Sequence, residues 1–374
     1  MGRLLLLDIF QWFAVLIGLT SYRLVDGRFM QTRLTRVYTL ILNVITVVML
    51  PPALLGAANF FVVDIWLPKF MWVTPYVLYA VNYVVIVQTL TSRGHRDSIL
   101  MELHHLIVKL SREMGRAGKR TNSSLRRLFY IKTITMSYLC LSYVLGTFLF
   151  TDGFTAYMIL SCVLINNGYN ILISTTHLYF VSLWQVARGY DFVNQQLEEL
   201  ISTRSPLTSG STEELRSLWS LHASLSRTAQ KINRIYGRQM LASRFDYIIF
   251  TVINGYIGSI YTRNEPAPFL TKCYGGLVYW IRIMDFFMTD YICDLVTQYQ
   301  SMRRDTVSEV SVMSNELHSF VIYQNSMKLN LKVCGLYPAN RKQWLSMSGA
   351  ILCNSIMLLQ YHLMMKAKTE KLNK

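Results

Sequence analysis

Few residues in this 374-residue chain are spaced for chemistry, and those that are lie inside apolar runs. Arg282 and Asp285 stand three apart in one such run, a spacing that puts both on one helical face and lets them pair locally. Such a pair serves either packing or a ligand contact. Aromatic and amide side chains recur around it: Tyr76, Tyr79, Asn82 and Tyr83 in a second run, Asn166, Asn167 and Asn170 in a third, with Tyr157, Tyr256, Tyr279 and Trp280 elsewhere. A small organic ligand needs an aromatic cavity with a few polar groups. The candidate ligand-binding set is therefore Tyr76, Tyr79, Tyr83, Asn167, Tyr256, Tyr279 and Trp280, expected in the outer halves of the spans. Hydrogen bonds between helices and an interfacial aromatic belt are the competing explanations.

Catalysis has no visible seat. The sequence lacks a Gly-rich phosphate loop, a Cys-x-x-Cys pair, His-Glu-x-x-His and a Gly-x-Ser-x-Gly elbow. His104-His105 comes nearest to a metal pair, but neighbours on a helix point ~100° apart and no third ligand is close in sequence. The expectation is a protein that is no enzyme and needs no cofactor or metal.

The elements that must position these residues are membrane helices. The chain is 52% apolar, 13% aromatic and only 16% charged, against about 25% charged in soluble domains. Seven runs suit a ~30 Å hydrocarbon core: 37–58, 72–91, 130–150, 155–180, 246–262, 273–292 and 344–365. Residues 4–20 form an eighth apolar stretch, read first as interfacial or re-entrant, with a span or a signal peptide as alternatives. Lys and Arg in alternate connecting segments number 29 on one side and 3 on the other. Positive charge collects on the cytosolic side, which puts the N-terminus in the cytosol and the C-terminus outside. Four tail lysines from Lys366 onward oppose this and are outvoted. The net charge of +16 then reads as topology and contact with anionic lipid, not as nucleic-acid binding. The six cysteines form no disulfide framework, and the Asn122-Ser123-Ser124 sequon falls on the cytosolic side.

Three basic segments share a 3-4 spacing. It runs through Leu100, Leu103, Ile107, Leu110 and Met114, through Leu215, Leu218, His222, Leu225, Ala229, Ile232 and Tyr236, and through Val310, Met313, Leu317, Phe320, Gln324, Met327 and Leu331. Such seams belong to helices packed at shallow angles, here a helical base beneath the membrane, with His222 and Gln324 as polar interruptions. In the last run, Ser346, Gly349, Cys353, Ile356 or Met357, and Gln360 also recur every three or four residues. A small or polar stripe of this kind avoids lipid, against either a neighbouring helix or a water-filled axis.

The segments "INRIYGRQMLASRFDYIIFTVIN" (232–254) and "KVCGLYPANRKQWLSMSGAILCNSIMLLQYH" (332–362) resemble the insect gustatory receptor family, as do "LIGLTSYR" and "TRVYTLILNVITVVMLP" nearer the start. The family closes on Thr-Tyr, five apolar residues and Gln-Phe. Here "CNSIMLLQY" keeps only Gln360, with Cys353, Asn354, Ser355 and Tyr361 departing. The resemblance implies an all-α polytopic membrane protein of seven spans, assembling with identical or related subunits as a tetrameric ligand-gated cation channel in the plasma membrane of sensory neurons. It divides the chain into a cytosolic segment with the interfacial helix (1–36), a six-helix ligand-sensing bundle (37–292), a cytosolic anchor (293–343), a pore-lining helix (344–366) and an external tail (367–374). It also puts Ser346, Gly349, Cys353, Ile356, Met357 and Gln360 at the pore or gate, and implies a small organic tastant as ligand. A G-protein-coupled receptor would reverse the charge topology, and neither Asp-Arg-Tyr after the third span nor Asn-Pro-x-x-Tyr in the last is present. A transporter or membrane enzyme would need broken, repeated spans or a concentrated polar set.

Overall fold

Continuous apolar sequence with few glycines or prolines inside it forms helix, because every backbone polar group is then satisfied within the segment. The computed structural model describes residues 2–25, 28–60, 69–119, 121–149, 155–202, 209–264, 269–301, 315–327 and 329–372. Its helices are α1 (Gly2–Leu16), α2 (Arg33–Phe60), α3 (Lys69–Thr91), α4 (Arg93–Arg116), α5 (Ser123–Leu149), α6 (Ala156–Ser202), α7 (Ser209–Asn264), α8 (Phe269–Gln300), α9 (Asn315–Ser326) and α10 (Arg341–Leu372). Two small antiparallel hairpins complete the described residues: β1 (Arg23–Val25) with β2 (Arg28–Met30), and β3 (Lys332–Val333) with β4 (Tyr337–Pro338). The fold is all-α.

Four helical stretches are long and apolar enough to cross a membrane on length and composition alone: Arg33–Ala57, Val73–Thr91, Ser123–Gly146 and Ala156–Leu200. The other three expected spans lie in α7, α8 and α10, where charged residues (Asp246, Arg282, Asp285, Asp290) lower the apolarity of the first two and uncharged polar ones (Asn354, Gln360, His362) that of the last. Those in α7 and α8 are buried against protein, as described below. With 15 residues, α1 reaches about 22 Å, short of the hydrocarbon core. It buries Phe10 and Ala14 in the main core, exposes Ile9, Trp12 and Leu16, and ends at Gly18, whose positive φ of 78° turns the chain back toward α2. Arg96 at the foot of α4 is fully buried and holds this turn, donating to the carbonyls of Leu19 (2.5 Å) and Thr89 (3.1 Å).

At about 70 Å and 84 Å, α6 and α7 are far longer than a membrane is thick. Their extensions at the basic-loop end pack side by side, where Gly189 lets the backbones close: a Cβ there would meet Leu225 methyls at 2.7 Å. All seven residues of the α7 seam, Leu215 through Tyr236, are buried. On α4, Leu103, Leu110 and Met114 are buried while Leu100 and Ile107 are partly so. The third seam holds in part. Phe320, Gln324 and Leu331 are buried, Met327 is exposed, and Val310 and Met313 lie outside the described residues. These seams close within one chain and form a helical base.

Two local devices set element starts. Asn340 caps α10, its Oδ1 accepting the Gln343 amide at 2.8 Å, directly after the β3–β4 hairpin that turns on Cys334 and Gly335 with φ of 50° and 76°. Asn122 caps α5 through Oδ1 to the Ser124 amide (3.0 Å) and donates to the Tyr299 hydroxyl (3.2 Å), so its amide already serves packing. The six cysteines are all free.

Candidate ligand cavity and final helix

A cavity of about 50 Å³ opens where α3, α5, α6, α7 and α8 converge, room for roughly three or four waters at ~10–15 Å³ each. Asn82 and Val85 line it from α3, Leu139 and Tyr143 from α5, Tyr169 and Thr176 from α6, Asp246 and Tyr247 from α7, and Arg282, Asp285 and Phe286 from α8. Its walls are aromatic: Tyr143 stacks on Tyr169 (4.3 Å, 8°) and Tyr247 on Phe286 (4.3 Å, 11°).

Charges in and behind the wall are paired across helices. Arg282 donates to Asp246 of α7 and, at 2.9 Å, to the Tyr143 hydroxyl, with its guanidinium 3.7 Å from the Phe250 ring centre. Asp285 receives Lys132 of α5 at 2.7 Å and the Thr135 hydroxyl at 2.9 Å. Arg244 and Asp290 pair one layer further toward the base. The expected local Arg282–Asp285 pair is thus corrected: the two share a helical face, but each takes its partner from a facing helix. That choice also satisfies more hydrogen-bonding positions per charge, the condition for burying ions at tolerable cost.

None of the seven residues expected to bind ligand lines this cavity. Asn82 faces it, which turns Tyr76 and Tyr83 to neighbouring faces of α3. Tyr83 donates to the Val47 carbonyl (2.9 Å) and Asn167 to the Thr46 hydroxyl (3.2 Å), both hydrogen bonds between helices. Tyr79 packs, partly buried, against the main core. Tyr256 is buried under the C-terminal half of α10, its hydroxyl 3.0 Å from His362 Nδ1. Tyr279 lies near Gly255 and Ser355, while Tyr76 and Trp280 are exposed. Sequence reasoning missed Tyr143, Tyr169, Tyr247 and Asp246. It counted Lys132, at the edge of the 130–150 run, and Arg244, just before the 246–262 run, among the basic residues of the connecting segments, although a charge at the margin of an apolar run was the available signal.

Trp344, Met347, Ile351, Ser355, Leu358 and His362 form the face of α10 that packs on α7 and α8. Ser346, Gly349, Cys353, Ile356, Met357 and Gln360 are all exposed on roughly the opposite side. Tyr247 and Phe286 belong to both regions: they line the cavity and form one apolar cluster with Ile351.

Comparison with known proteins agrees with this architecture. Residues 7–365 match the family described as 7tm Chemosensory receptor. A Drosophila erecta protein provisionally named gustatory receptor 59b is 48% identical over 301 residues, 80% of this chain. The chain spans about half (51%) of that relative's length. Among solved structures, the insect olfactory receptor OR5 of Machilis hrabei in complex with eugenol superposes with a TM-score of 0.69 at 12% identity, covering 96% of this chain and 98% of that one. A second structure of the same receptor gives 0.69 over 95% of this chain and 97% of that one. At that identity the likeness is one of fold. The family match and the sequence identity give one assignment: the chain belongs to the seven-transmembrane chemosensory receptor family, with the insect gustatory receptors.

Proposed function

We propose that the protein is a gustatory receptor working as a ligand-gated, non-selective cation channel for small organic tastants, bitter or deterrent compounds being the expected class. Four identical or related subunits form the channel in the plasma membrane of sensory neurons. Ligand enters the cavity bounded by Asn82, Tyr143, Tyr169 and Tyr247, and α10 lines the axial pore. The observation that carries this reading is the shared wall, because the stacked Tyr247 and Phe286 rings that face the cavity also seat Ile351 of α10. A ligand that moves the stack changes the seat of the last helix. Around a four-fold axis the exposed Ser346-to-Gln360 stripe lines a water path, narrowed at Ile356, Met357 and Gln360, which closes by dewetting. Support for a small-molecule site comes from the fold neighbour solved in complex with eugenol.

Excised patches from cells expressing the receptor test the reading. Agonist should evoke current without nucleotide or G protein, and Tyr247→Ala should shift the agonist concentration dependence by ~tenfold, the loss of one well-buried contact. Current that requires guanine nucleotide would favour the G-protein-coupled alternative and sink the channel.

A further inference from the structure

Two buried polar side chains on the cavity wall have hydrogen-bonding capacity that the protein does not use. Asn82 is 2% exposed, and both its carboxamide oxygen and its nitrogen lack a partner. Asp246 is 6% exposed; its Oδ2 accepts from Arg282, while its Oδ1 has no partner. The Asn82 amide approaches Asp246 from the facing helix without reaching hydrogen-bond geometry. Buried polar atoms left this way are costly, and a cavity that holds two acceptors and a two-proton donor is built for something that completes them.

The surroundings limit what that can be. Formal charge around the cavity cancels, Arg282 against Asp246 and Lys132 against Asp285. An added ion would have no counter-charge in a low-dielectric site. The flanking walls are two stacked aromatic pairs, which favour a flat group.

We infer that the cavity selects uncharged aromatic molecules bearing a primary amide, or an equivalent set of one carbonyl and two N–H groups, over charged or donor-free analogues of the same shape. The ligand carbonyl accepts from Asn82 Nδ2, one N–H donates to Asn82 Oδ1 and the second donates to Asp246 Oδ1. All three unused positions are then satisfied at once. An aromatic ring exceeds the room present, so its entry parts one of the stacked pairs. Parting Tyr247 from Phe286 is the route that reaches Ile351. The inference rests on reading this cavity as the receptor's ligand site.

Binding to the purified full-length chain in lipid nanodiscs separates it from channel activity. The probes are benzamide, acetophenone, benzoate and benzylamine, four molecules of nearly one shape. Benzamide should bind in the millimolar range expected for so small a ligand and at least ~tenfold more tightly than the other three. Asn82→Leu should abolish that preference, with Asn82→Ser as a second variant in case leucine impairs folding, each checked for a monodisperse elution profile. Equal binding of all four, preference for either charged probe, no benzamide binding, or unchanged preference in both variants would overturn the inference. Patch recordings with the same probes keep the two readings apart. Asn82-dependent benzamide binding without current supports the cavity chemistry and removes the channel. Agonist current indifferent to Asn82 does the reverse.

Discussion

A lysine ammonium taken out of water must be compensated where it stands, and Lys132 finds three acceptors: Asp285 Oδ2 at 2.7 Å, the Asp285 carbonyl at 2.8 Å and the Thr289 hydroxyl at 3.0 Å. Lys132→Met leaves the Asp285 carboxylate buried without its cation, a loss of about 3–5 kcal/mol. The expected outcome is a sharp fall in surface protein and in the melting temperature of the purified receptor. The double variant Lys132→Met with Asp285→Leu should recover much of it, since two apolar groups leave nothing uncompensated. A single variant as stable as the parent would show that the pair contributes only orientation. At this scale the sequence was half legible. Arg282 and Asp285 announce themselves because a charge inside an apolar run is rare. Lys132 and Arg244 do not, because a cation at the margin of a run reads equally as a loop residue, and only the facing helix decides which way it turns.

Elements were easier to read than their partners. The 3-4 spacing of α7 identified its buried seam from Leu215 to Tyr236, but a helix repeats its faces without naming what lies opposite. The cavity-facing side of α3 was missed for that reason. Within the seam His222 is fully buried, its Nε2 3.1 Å from the Gln300 carbonyl and its ring between Tyr190 and Phe320. Burial pushes its pKa below the ordinary value, partly offset by that carbonyl. The folded base therefore holds His222 neutral, while the unfolded chain takes up a proton below about pH 6.5. Stability contributed by this site is complete above that pH and declines as pH falls toward the depressed folded value. Melting temperature should drop between ~pH 7 and ~pH 5.5 and drop less in His222→Gln; parallel curves for the two proteins would exclude His222 as the cause. On α10 the exposed stripe carries its own prediction. On the proposed tetrameric channel reading, Gln360→Glu in receptors that reach the surface would replace up to four amides with carboxylates at the narrowing, and divalent block should increase or cation selectivity change. Unaltered selectivity, block and open probability in both Gln360→Glu and Gln360→Ala would place the residue away from the ion path.

For the whole molecule, composition and the 29-to-3 loop asymmetry conveyed an all-α multi-pass chain before any contact was known. Moving Lys132 and Arg244 from the loops into the bundle leaves the sign of that asymmetry unchanged. An epitope at residue 1 is expected to be hidden from antibody on intact cells and one after Lys374 to be labelled; labelling of the first without permeabilisation would reverse the orientation. What composition could not convey is that α7 and α8 carry charged residues that are tolerated only because neighbouring helices receive them, while α10 falls short as a span through uncharged polar residues such as Asn354, Gln360 and His362. That pairing has an electrical consequence. Lys132, Arg244 and Arg282 are matched by Asp285, Asp290 and Asp246, each pair joined by direct contact. A membrane field acts on a free elementary charge with about 2.3 kcal/mol per 100 mV, yet on a contact pair moving as a unit the two forces oppose and nearly vanish. Among the described residues these three pairs therefore feel almost no net force from the membrane voltage, and on the proposed channel reading agonist-evoked open probability should change little between hyperpolarised and depolarised patches, leaving chemistry as the stimulus.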